Sequence, residues 1–194
     1  MHDEVPAQID GSCLDTVRKI SFETEELAAA HFAAVKDRLL NVNLWFEVCC
    51  KKHSHFYVCD TAGNCKNEPI AVGDYVRISV KGLDNASGDG DDWVMLEELI
   101  DEADRTSFTV RPCAAPINNS DEVAHFFDER STNTFEVRRD GKEIIVEIHG
   151  RNEHINTETD SLLNAVRNTA MAVGGFLFGS KSQWEELAEG LIKL

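Results

Sequence analysis

Between Cys49 and Cys65 the chain sets four cysteines (Cys49, Cys50, Cys59, Cys65) and two histidines (His53, His55) within seventeen residues. Thiolate and imidazole are the groups that zinc takes four at a time in a tetrahedron. Cys50, His53, Cys59 and Cys65 would supply such a set if the strands carrying them meet. The spacing is not that of a zinc module: no C-x-x-C pair occurs, and adjacent Cys49 and Cys50 point to opposite faces of a strand. A hairpin would also bring Cys59 and Cys65 opposite each other as a disulfide, which a reducing cytosol disfavours. The plainest reading makes Cys49 or Cys50, and Cys59, small buried hydrophobes.

Three other groups of residues could do chemistry. Asp84, Asp89, Asp91 and Asp92 offer the oxygen ligands that calcium takes, but Trp93 stands where an EF-hand needs a ligand, so a solvated acidic turn is the ordinary reading. His149, Arg151, Asn152 and His154 follow directly on a strand, where binding residues are common. Arg151 could hold an anion there, and His149 or His154 could carry a proton. Arg77, Arg111, Arg138 and Arg139 recur on strands. They would either converge on an anionic ligand or each pair with a carboxylate across the sheet; the hairpin register expected below sets Arg138 opposite Glu143. No nucleophile is spaced against a histidine as in a catalytic triad, and no phosphate loop, dinucleotide fingerprint or H-E-x-x-H occurs. No cofactor is expected.

The elements that must position these residues are legible in part. Thr24 can cap a helix whose first turn carries Glu25 and Glu26 and whose stripe is Leu27, Phe32, Val35 and Leu39. From Leu44 the pattern turns to strands: Leu44–Cys50, His55–Asp60, Tyr75–Val80, Trp93–Ile100 and Ser107–Arg111. A short helix is expected between Ser120 and Glu129. Phe135–Val137 and Ile144–Ile148 flank Asp140–Gly141, the signal for a type I′ hairpin. That hairpin puts Phe135, Val137, Ile144, Val146 and Ile148 on one face and Glu136, Arg138, Glu143, Glu147 and His149 on the other. Two helices should end the chain, one capped at Thr159 or Asp160 and carrying Leu162 to Val173, the other started by the capping box Ser182-x-x-Glu185. Short strands, a Gly-Asp turn, a polar loop and Asp-Trp-x-Val resemble a small SH3-like β-barrel over the segment from Leu44 to Pro112.

At 194 residues the chain is long enough for one proper core, and its 42% hydrophobic and 28% charged content is that of a globular protein. The net charge of −16 repels phosphate backbones and anionic bilayers, so neither nucleic acid nor membrane is an expected partner; a basic protein or a small anionic ligand is. The opening MHDEVPAQIDG has neither basic nor apolar region, and the longest apolar stretch, Ala170–Phe178, falls far short of the about 20 residues a span needs. A cytoplasmic location is expected. The fold class expected is α+β: an N-terminal arm (1–20), a helix plus barrel-like sheet (21–116), and a helix, hairpin and two C-terminal helices (117–194), possibly around one shared core. The expected function is non-enzymatic binding; the alternative is a small enzyme or metal-binding protein using segment 49–65 or 149–156.

Overall fold

The computed structural model describes residues 5–48, 54–80, 85–156 and 176–194. Strand β1 (Ser12–Ser21) is followed by helix α1 (Glu25–Leu40) and a 3-10 turn, Val42–Leu44, that runs into the single-turn helix α2 (Trp45–Val48). Then come β2 (Ser54–Cys59), β3 (Tyr75–Val80), β4 (Asp92–Asp101), β5 (Arg105–Pro112), β6 (Thr132–Asp140) and β7 (Glu143–Glu153). Helix α3 (Phe176–Ile192) ends the chain. The strands form one antiparallel sheet in the order β1-β7-β6-β5-β4-β3-β2. Strands β2 to β7 are a simple meander, and β1 returns to pair with the last of them. The sheet is open, with β1 and β2 at its edges. The SH3-like barrel expected for Leu44–Pro112 is therefore wrong, because β5 does not close on β2 but hands the sheet on to β6.

Several local expectations are corrected with it. Ser12–Ser21, read as part of an arm, is an edge strand paired along its length with β7. Leu44–Val48 is helical instead of extended. The reason is Trp45: its indole Nε1 donates to the carbonyl of Leu39 at 3.2 Å, turning the chain back under α1. The ring then packs against Phe56 and Phe135, with centroids 5.4 and 4.9 Å away. No helix forms in 120–131, which runs as an irregular strap. Helix α3 begins at Phe176, so Ser182 lies inside it and is not its cap. The helix expected after Thr159 falls outside the described residues, as do Cys49, Cys50 and His53.

Helix α1 starts as its sequence requires. Thr24 Oγ1 accepts the amide of Leu27 at 3.3 Å, and Glu25 and Glu26 sit at the positive end of the dipole. The buried stripe is Ala28, Phe32, Val35 and Leu39, while Leu27 faces solvent. It packs with Leu187, Ala188, Leu191 and Ile192 of α3 against one face of the sheet, and that layer is the main core. Phe135, Val137, Ile144, Val146 and Ile148 all point into it.

The hairpin keeps the expected face but not the expected register. Asp140 pairs with Glu143 and Arg138 with Ile145, so the two central residues are Gly141 and Lys142. Gly141, the first of them, takes φ 57°, as glycine does in a type II′ turn. The pairing shifts by two residues, Val137 facing Val146 instead of Ile144, so the inward set is unchanged. Arg138 pairs with Glu147 at 3.2 Å instead of Glu143.

Candidate functional site

A cavity opens between the sheet and the helical layer. Sheet residues Phe56, Val76, Ile78, Val94, Phe108, Val110 and Phe135 form its floor. Val42, Trp45 and Trp184 close it on the helical side, and Phe126 and Phe127 of the strap stand at its end. Its volume is about 60 Å³. One water needs about 10–15 Å³, so the space takes a group the size of about five waters.

The walls are apolar, but five polar side chains reach the cavity: Ser54, Asp92, His125, Asn133 and Gln183. Asp92 opens β4 and is only 1% exposed. Its Oδ1 accepts from Asn85 Nδ2 at 2.6 Å, and Asn85 in turn caps the 3-10 turn Ala86–Gly88. Burying a carboxylate without such a donor would be costly. His125 is 7% exposed and accepts the amide of Phe127 on Nδ1 at 3.0 Å. In a neutral imidazole an accepting Nδ1 places the ring proton on Nε2. Asn133 Nδ2 is a buried donor with no hydrogen-bond partner among the described residues. Gln183 is the polar residue that α3 contributes, and it too is buried.

The strap that brings His125, Phe126 and Phe127 into place is itself held by backbone pairing. Ala114 bridges Val123, and Phe127 bridges Ile155. Asn156 donates its amide to Phe126 O at 2.7 Å and its Nδ2 to Val123 O at 3.1 Å. Trp93 donates its amide to Ala124 O at 2.7 Å. On the outer face of the sheet, Ala115 and Ala124 then pack over Cys59 and Trp93 as a second small core.

Apart from Asp92, the residues singled out in the sequence lie elsewhere. His149 Nδ1 and Arg151 Nη2 converge on Asp15 Oδ1 at 2.6 and 2.7 Å, on the outer face and at the β1 edge. Burial by itself would raise the Asp15 carboxyl, but hydrogen bonds from His149 and Arg151 outweigh it and hold it below the usual range. Asn152 takes φ 52°, a conformation that asparagine tolerates, and its side chain ties down the N-terminal segment. Its Oδ1 accepts from Ile9 N at 2.7 Å and its Nδ2 donates to Ala7 O at 3.0 Å. His154 Nε2 lies 3.4 Å from Asp10. The polar strand exit thus anchors residues 7–15 of the chain. The arginines do not converge: Arg77 pairs with Asp91 at 3.4 Å and Arg111 with Glu97 at 2.6 Å. Cys59 and Cys65 face each other with Sγ atoms 3.4 Å apart. Among the described residues no three His, Cys, Asp or Glu side chains are grouped to hold a metal ion. None of the described helices is long and apolar enough to cross a membrane.

Comparison with known proteins yields a fold and no more. No protein-family profile matches the sequence, and no curated protein matches it. Among solved structures, the hypothetical protein jhp0584 from Helicobacter pylori superposes with TM-score 0.54 at 10% identity, over 91% of this chain and 86% of that one. That likeness extends over nearly the whole chain. Looser superpositions, with TM-scores below 0.5, are found as well. They include a START superfamily protein from Mycobacterium smegmatis (TM-score 0.43, 8% identity, 93% and 99% of the two chains). Truncated norcoclaurine synthase from Thalictrum flavum is another (0.44, 6%, 97% and 99%).

Proposed function

We propose that this protein binds a small, mostly apolar molecule bearing one hydrogen-bonding oxygen, held in the cavity between the sheet and α3. The observation that carries this reading is Asn133 Nδ2, a buried donor without a partner among the described residues, in a wall made mostly of Phe, Val, Ile and Trp. Leaving such a donor unpaired costs about 1–3 kcal/mol, which an acceptor on a ligand would recover. Apolar walls with a few convergent polar groups are what a small-molecule site consists of. The apolar surface supplies affinity, and Asn133 and Gln183 supply orientation. The volume restricts the buried part to a single ring or a short alkyl chain.

An amide-resolved NMR titration with cyclohexanol, phenol and hexanoic acid tests this. Saturable shifts confined to cavity residues such as Val94, Val110 and Asn133 would support it. Their absence with all three compounds, or shifts gathered on another surface, would sink it.

A further inference from the structure

Cys59 ends β2, and Cys65 follows the turn of residues 60–64; the two are antiparallel bridge partners. Flanking them, Asp60 N–H donates to Asn64 O at 2.9 Å and Lys66 N–H to Val58 O at 2.8 Å. This pattern makes Cys59 and Cys65 a non-hydrogen-bonded pair, the kind whose Cα atoms stand about 4.5 Å apart. Disulfides span Cα separations from about 4.4 to 6.8 Å, so the backbone already suits one. The turn is fixed independently of the sulfurs: Asp60 Oδ1 accepts the amides of both Ala62 and Asn64 at 2.9 Å, and Gly63 takes φ 78°. With Sγ atoms 3.4 Å apart, closing the bond needs only side-chain rotation. The pair is also asymmetric. Cys65 is exposed, whereas Cys59 is buried against Trp93 and Ala124.

We propose that Cys59 and Cys65 are a reversible thiol–disulfide pair oxidised by peroxide. The Cys65 thiolate attacks a peroxide oxygen; an S–O bond forms, the O–O bond breaks, and the departing hydroxide takes up a proton as water. The Cys59 sulfur then attacks the Cys65 sulfenic acid. The S–S bond forms as the S–O bond breaks, and the hydroxyl leaves with the Cys59 proton as a second water. Two thiols and one hydrogen peroxide thus give one disulfide and two waters. Burial, and then the neighbouring Cys65, push the Cys59 thiol up to about 12, so the exposed sulfur reacts first and the second step is the slow one. Reduction is slow for the same reason, since a thiol attacking the accessible Cys65 sulfur must expel Cys59 as a poor leaving group.

Trypsin releases residues 53–66 as one peptide containing both cysteines and no other, which makes the test direct. The native full-length protein is treated with hydrogen peroxide, alkylated, digested and weighed. The expected peptide has lost two hydrogens, carries no alkyl group, and regains two alkylation sites after dithiothreitol. The Cys59→Ser variant should instead accumulate a Cys65 sulfenic acid that dimedone traps. A peptide that keeps both thiols alkylatable, a Cys65 that runs on to sulfinic acid in the wild type, or a Cys65 paired with a cysteine outside 53–66 would each overturn the proposal. The wild-type peptide map decides the matter even if the variant fails to fold.

Discussion

Asn133 Nδ2 is where the ligand proposal meets a single atom. Replacing Asn133 by leucine, which is of similar size, removes a buried donor that has no partner among the described residues. The ligand-free protein is expected to gain up to about 1–2 kcal/mol in urea unfolding, while a ligand bearing an acceptor should lose about tenfold in affinity. Glu153 offers a second test at this scale. Its carboxylate folds back over Gly150, where an added Cβ would stand 2.2 Å from Oε1. Burial raises its carboxyl above the ordinary range, and the Ser12 hydroxyl and Arg151 only partly offset that. A carboxyl raised on folding opposes folding once it is ionised, so the penalty is full above its folded value and absent below its unfolded one. Glu153→Gln is therefore expected to raise the melting temperature at pH 7 and to leave it unchanged below about pH 4. A gain that persists in acid would contradict this. Asn133 was not legible as functional. Asn133 sits in a short polar run, Ser131–Asn133, and only the pairing of β6 with β5 and β7 turns it into a buried wall.

At the scale of elements, Gly190 shows packing overruling propensity. It lies inside α3, where alanine would ordinarily be better by about 1 kcal/mol. Yet a Cβ there would lie 2.3 Å from Val48 O and 2.6 Å from Val48 Cγ1. Gly190→Ala should thus cost about 1–3 kcal/mol by forcing α3 off α2, read as a lowered urea midpoint at unchanged slope. Sequence pattern found β2 to β7 in outline because their alternation of apolar and polar residues is strong. It also found the inward face of the β6–β7 hairpin, since a pairing shift of two residues leaves a period of two intact. It missed β1 because the inward positions of that edge strand include Thr16 and Arg18, which break the alternation. The strap through Phe126 and Phe127 was missed for a related reason. It has no periodicity of its own and takes its shape from bridges to Ala114 and Ile155, which are remote in the chain. Leu44–Val48 carries residues that favour strands, but a tertiary hydrogen bond from Trp45 decides its conformation.

Across the whole molecule, the meander carries the sheet from β2 back to β7, beside β1, and lays α1 and α3 over one face of it. Apart from Asp92, the chemistry-bearing residues that stand out in the sequence fall on the other face or at the edges, where carboxylates and arginines satisfy one another. Arg105 grips Glu136 through Nε and Nη2 at 2.8 and 2.6 Å, and Glu136 is only 1% exposed. The interior face has little charge and holds the cavity. Composition could not reveal that division, because it depends on strand register and not on residue type. The most direct measurement is the melting temperature of the wild type and of Val94→Phe, whose added ring would fill the floor, at rising concentrations of the tightest compound from the NMR panel. At a hundredfold excess over its dissociation constant, binding adds about 2.7 kcal/mol, a rise of about 5–11 °C for a chain of this size. The wild type should show that rise and Val94→Phe should not; equal shifts in both proteins, or none in either, would contradict the assignment of the cavity as the binding site.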